Sequence, residues 1–196
     1  MFNSTINKAV NSWVNDGIIA EKDMDIYIYG LDLLVFSAIN LIIIFVTAII
    51  TGRLIESIIL LAVTIPLQVL GGGYHAKTHL NCFCIMYVGW WLIMWLAPNI
   101  NFTMTVGILA MSAMLIFWLA PIPNVNAPIS HIQSSKMKRY VRAFSIVFII
   151  AALLSSDIFF GIQPINNFIT IGIGTVAASM LAGKLRNYMD KIVHTK

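Results

Sequence analysis

Long apolar runs alternate with short polar ones along most of the chain. The runs cover about 26–50, 54–70, 80–97, 102–120, 141–160 and 165–182, each near the roughly 20 residues a helix needs to cross a bilayer. Ahead of them, Phe2, Ile6, Val10, Trp13 and Val14 recur at helical spacing, while Asn3, Ser4, Asn7, Lys8, Asn11, Ser12 and Asn15 take the opposite face and Gly17 stands where the helix can end. This predicts an amphipathic helix over 2–17 lying on the membrane. It lacks the continuous apolar core and small-residue cleavage site of a signal peptide, so it is expected to stay in the mature protein. The predicted fold is an all-α integral membrane protein of about six transmembrane helices plus this interfacial helix. It forms one polytopic domain over 1–196, with no soluble domain boundary and no convincing internal repeat.

Composition agrees with the pattern. Of 196 residues, 59% are hydrophobic and 10% charged, and the mean hydropathy is +0.87, well outside the range of water-soluble domains. The net charge of +4 does not point to nucleic acid, because the basic residues are not clustered on a soluble scaffold. Their distribution instead orients the chain in the lipid bilayer, its expected partner. With the N-terminus inside, all of the 12 Lys and Arg residues except Arg53 fall on one side, so both termini and the loop between the second and third runs are expected on the cytoplasmic face. Cys82 and Cys84 are too close together to staple a small domain, and reduced thiols are expected there.

The loop in question, Gly71-Gly72-Gly73-Tyr74-His75-Ala76-Lys77-Thr78-His79-Leu80-Asn81-Cys82, is the candidate reaction site. Three glycines release the backbone from helix, and two of the four histidines and one of the two cysteines follow at once. An imidazole can take the thiol proton to make the nucleophilic thiolate, and His75 with Cys82 is the leading pair. In one continuous helix these two would lie about 10 Å apart along the axis, too far for a hydrogen bond. The glycines must therefore let the chain fold back, while Cys82 gains from the dipole of the helix that follows. His79 is the competing base. Cys84 lies about 200° around that helix and deeper, and it reads as structural.

A metal site of His75, His79 and Cys82 would need an unbroken helix immediately after three glycines and has no fourth ligand nearby, so no metal or other cofactor is expected. Haem fits less well still. Two carboxyl groups fall within the apolar runs. Glu56 has Arg53 three residues away as a partner, whereas Asp32 has no local basic partner and remains a functional candidate.

Gly72-Gly73-Tyr74-His75-Ala76-Lys77-Thr78 followed by Cys82 resembles the G-G-x-H-A…C signature of the accessory gene regulator B family, bacterial membrane cysteine endopeptidases that process quorum-sensing propeptides. The resemblance covers nearly the whole chain: the amphipathic start, the spans, the six residues between His and Cys, and a proline- and asparagine-containing segment leading into a basic cluster. It implies that Cys82 is the nucleophile, His75 the general base and Gly73 the motif's small position. Such enzymes cut the C-terminal tail from a short propeptide through a thioester acyl-enzyme, which an internal thiol or hydroxyl resolves to a thiolactone or lactone.

The resemblance also implies a propeptide with an amphipathic leader and an acidic tail, and a homodimer. Lys136, Lys138, Arg139 and Arg142 share the expected side of Cys82 and could hold that tail, or serve only as topology anchors. Asp32 could orient His75, or pair with Lys77 or a substrate group. A reading from another class, a small transporter or exporter of a peptide or ion with Asp32, Glu56 and the histidines along its path, lacks paired Gly- or Pro-broken spans in corresponding halves. A non-catalytic membrane scaffold is the third reading.

Overall fold

The computed structural model describes residues 2–74, 76, 78–122, 131–155 and 165–194. Among them are seven α-helices: α1 (Phe2–Asn15), α2 (Met24–Ile50), α3 (Leu54–Gly71), α4 (His79–Leu96), α5 (Phe102–Leu119), α6 (His131–Leu154) and α7 (Ile165–His194). No strand occurs among the described residues. Contacts divide the chain into two units, 1–47 and 48–196.

In the first unit, α1 ends where its sequence places a breaker. Gly17 takes φ +70°, its N–H donates to the Val14 carbonyl at 3.0 Å, and the Ile18 N–H donates to Trp13 at 2.9 Å. That pair of bonds satisfies two of the carbonyls a helix end leaves open. Ile6 and Val10 on the apolar stripe are buried within the protein. Ile6 and Asn7 face Asp25, Ile28, Tyr29 and Asp32 of α2 across a cleft of about 320 Å³.

The second unit is built around α7, which packs against α3, α5 and α6. Lipid tails are as apolar as leucine, so close packing of small residues brings helices together in a membrane. Gly172 lies against Val63 and Leu60 of α3, and Gly174 against Ile108 and Ser112 of α5. Leu67, Ile116, Val141, Ile173 and Met180 fill the core between these helices and α6. Hydroxyls are satisfied within their own helices: Ser57, Thr64, Ser145 and Thr175 each donate to the carbonyl four residues back. The Ser57 oxygen also accepts from the buried Trp90 indole at 3.0 Å, tying α4 to α3.

Among the described residues, five helical stretches are long and apolar enough to cross a membrane: Glu21–Ile50, Leu54–Gly71, Leu80–Asn99, Phe102–Leu119 and Ile165–Asp190. Their outward aliphatics, Ile42, Ile50, Val69 and Leu80 among them, are exposed to surroundings that must be apolar. The expected span 141–160 corresponds to α6, whose described part ends its helix at Leu154; residues 156–160 lie outside the described residues. Two elements run past their expected apolar limits. α6 begins at His131 because the basic stretch before Val141 is itself helical, and α7 continues beyond residue 182 to His194, with Arg186 and Asp190 forming an i,i+4 pair at 3.7 Å. Arg53 and Glu56 form the expected ion pair, at 3.3 Å.

Candidate active site

α3 stops at Gly71, and the sequence explains how. The Gly72 N–H makes a last helical bond to Gln68 at 2.9 Å, then Gly72 turns to φ +69°, a conformation that costs an ordinary L-residue about 1 kcal/mol or more. A side chain at Gly72 would also strike the Ile122 carbonyl. The Gly71 carbonyl, left without a helical donor, accepts from the Ile122 N–H at 2.8 Å. The segment after α5 thus closes the end of α3.

Arg142 fills the matching gap at the end of α5. Pro121 has no N–H, so the Phe117 carbonyl lacks its usual donor. Arg142 Nη2 donates to it at 2.7 Å, and the guanidinium lies 5.1 Å from the centre of the Phe117 ring. The expected set of substrate-binding cations therefore divides. Lys136, Lys138 and Arg139 are exposed on the first turns of α6, whereas Arg142 turns inward and is engaged with α5.

Beyond Gly72 the chain lies along α7. The Tyr74 N–H is shared between the carbonyl of Ser179 at 3.0 Å and its hydroxyl at 3.1 Å, and Gln68 Nε2 donates to the same hydroxyl at 2.9 Å. Two glycines permit this approach. A Cβ at Gly73 would sit 2.5 Å from Ser179 Oγ and 2.7 Å from Gln68 Nε2, and one at Gly183 would sit 2.7 Å from the Gly73 carbonyl carbon. The Tyr74 ring rests under Arg186, 5.4 Å from its guanidinium carbon.

Helix resumes at His79. The Thr78 hydroxyl accepts from the Asn81 N–H at 3.3 Å as N-cap, and the Thr78 carbonyl takes the first helical bond from the Cys82 N–H at 3.1 Å. Cys82 therefore stands in the first turn of α4, half-buried, while Cys84 is exposed. The Ala76 backbone N–H approaches the Cys82 thiol. Six residues of continuous helix would separate those two positions by about 9 Å along the axis, so the approach exists only because the chain folds back. His75 and Lys77 lie outside the described residues, as does the side chain of His79; Ala76 is the chain neighbour of the first two.

No group of three or more His, Cys, Asp or Glu able to hold a metal occurs among the described residues. Asp32 lines the cleft of the first unit beside Asp25 and Tyr29. Gln68, Ser179, Gly183 and Arg186 were not among the residues expected at the site. The only local sign of them is small-residue spacing on α7, where Gly172, Ser179 and Gly183 share a face.

Searches against the curated proteins and the solved structures found no match to the chain. A family model described as accessory gene regulator B matches residues 6–181, nearly the whole length. A multi-pass helical protein whose glycine-broken loop folds back onto a cysteine, and whose sequence fits that model over nearly all of its length, belongs to the accessory gene regulator B family, membrane proteins of quorum-sensing peptide processing.

Proposed function

We propose that the protein is a membrane-embedded cysteine endopeptidase that removes the C-terminal tail of a short propeptide and promotes its cyclisation. The observation that carries the reading is the approach of the Ala76 backbone, across the glycine-broken loop, to the half-buried Cys82 thiol. His75, next in the chain, is the base. It accepts the Cys82 proton, and the thiolate attacks the scissile carbonyl. The C–N bond breaks, His75 returns the proton to the leaving amine, and the tail departs from a thioester acyl-enzyme. A thiol or hydroxyl within the bound peptide then attacks the thioester, giving up its proton to His75 and releasing Cys82. The ring closes as a thiolactone or lactone.

Exchange of one thioester for another is nearly balanced in free energy, so the outcome depends on holding the internal nucleophile close and keeping water out. A thiol half-buried at the start of an apolar helix suits both needs. Lys136, Lys138 and Arg139, exposed on α6, are the cations offered to an acidic tail. The reading places the site on the cytoplasmic side of the cell membrane, in a protein that acts as a homodimer, with Asp32 as a supporting carboxylate.

The test is co-expression with the cognate propeptide, with the released tail measured by mass spectrometry. Cys82→Ala and His75→Ala should each abolish release, a loss of about 10⁴-fold or more, while Cys84→Ala and His79→Ala should retain most of it. Cleavage by folded Cys82→Ala would end the proposal.

A further inference from the structure

We infer that α7 positions the site loop, with Ser179 and Gly183 setting where Ala76 meets Cys82. For its effect on peptide cleavage the inference rests on the proposed function; for its effect on the thiol it does not. Among the described residues of the loop, the Gly73–Tyr74 peptide is fastened to α7. It is held by two bonds from one N–H to Ser179, by Gln68 on the same hydroxyl, and by the Tyr74 ring under Arg186. The fastening is close enough that neither Gly73 nor Gly183 has room for a methyl group.

A single residue separates Tyr74 from Ala76, so the two can lie no more than about 7 Å apart. A short tether damps little, so a displacement at Tyr74 passes to the Ala76 N–H, whose bond to sulfur depends on distance and angle. Ser179 and Gly183 touch neither the thiol nor the reacting bond in this scheme; they act through Tyr74 and are positioning residues. Nothing in the local sequence of the loop specifies this register, since its anchor lies more than a hundred residues away.

Gly183→Ala is the discriminating variant. Within a helix this change ordinarily stabilises by about 1 kcal/mol of intrinsic propensity, yet here the added methyl would press on the Gly73–Tyr74 peptide. In a Cys84→Ala background, in nanodiscs, the rate of Cys82 alkylation by iodoacetamide is measured against pH beside propeptide cleavage. Gly183→Ala should move the alkylation midpoint upward by about one pH unit, the equivalent of a lost hydrogen bond to an ionised group, and lower cleavage about 10²-fold. Ser179→Ala should shift both in the same direction by less. Gly107→Ala, where an added Cβ meets nothing within 4 Å, should change neither.

A folded Gly183→Ala protein with wild-type alkylation and cleavage would overturn the inference. If Gly183→Ala does not fold, Ser179→Ala decides, and an unshifted profile there overturns it equally. A shifted alkylation profile in a protein that cleaves no propeptide, wild type included, supports the positioning role and rejects the peptidase reading.

Discussion

The two ends of α4 are built on opposite principles. At its C-terminal end, a single 3-10 turn, Ala97–Asn99, leads into α5, and the side chains of the turn satisfy their own backbone: Asn99 Nδ2 donates to the Trp95 carbonyl at 2.9 Å, and Asn101 Oδ1 accepts from the Met104 N–H at 2.9 Å. Fully buried Asn167 of α7 then clamps the turn, donating to the carbonyls of Ala97 at 2.8 Å and Ile100 at 3.1 Å. At its N-terminal end the connection is glycine-rich, is fastened to α7 through one peptide N–H, and sends the Ala76 N–H to a thiol instead of a carbonyl. A sulfur is a weak acceptor while it carries its proton and a strong one once ionised. One end serves to close a hairpin; the other holds a donor ready for a charge.

This contrast should be visible in how each end fails. Gly72→Ala is expected to have the largest effect. It places an L-residue at φ +69° and drives its Cβ into the Ile122 carbonyl, which breaks the bond that closes α3. Strain and clash together should cost about 2–3 kcal/mol, and cleavage should fall about 10²-fold through the displaced loop. Denaturation in detergent and a propeptide assay give the two numbers. If stability drops while turnover per folded molecule is unchanged, the loop is only a connector.

Asn167→Ala tests the other end. It removes the amide donor from the Ala97 carbonyl, which keeps the Ile100 N–H at 3.3 Å, and from the half-buried Ile100 carbonyl, and it opens a small void, for a loss of about 2 kcal/mol. Turnover per folded molecule should stay within about twofold, since nothing at the thiol depends on this clamp. A large fall in turnover at full stability would show that the two ends of α4 are coupled and would remove the distinction drawn between them.

The sequence already marked most of this fold, because hydropathy reports directly on lipid contact. The expected limits of the spans that became α3, α4 and α5 lie within a residue of the observed ones. It was less informative where helix continues into charge. Lys136 to Arg142 and Lys184 to Lys191 interrupt the apolar runs but are good helix formers, so α6 starts earlier and α7 ends later than the apolar pattern implied. At the site, the glycines and the apolar run beginning near Leu80 sufficed to put the cysteine in the first turn of a helix, and the spacing of His75 from Cys82 called for a fold-back if the two are to act together. The anchors were illegible for a physical reason. Ser179 and Gly183 are ordinary small residues of a packed helix until the loop lies on them, and Arg142 looks like one more surface cation until the missing N–H of Pro121 is noticed.

The smallest expected effect compares two N-caps. Thr78 caps α4 at the site loop with an exposed bond of 3.3 Å, while Asn101 caps α5 at the hairpin with a bond of 2.9 Å. Asparagine is the better capping residue and its bond is the shorter, so Asn101→Ala should cost about 1 kcal/mol and Thr78→Ala about 0.5 kcal/mol. Thr78→Ser should restore the loss, because only the hydroxyl is needed. The Cys82 N–H is held by the Thr78 carbonyl and not by its side chain, so Thr78→Ala should leave the pH midpoint of Cys82 alkylation in place even as α4 frays slightly. If that midpoint moves as far as in Gly183→Ala, the loop is set by the cap within it. If it holds, the position of the thiol's neighbour is decided on α7, and the N-terminal end of α4 follows.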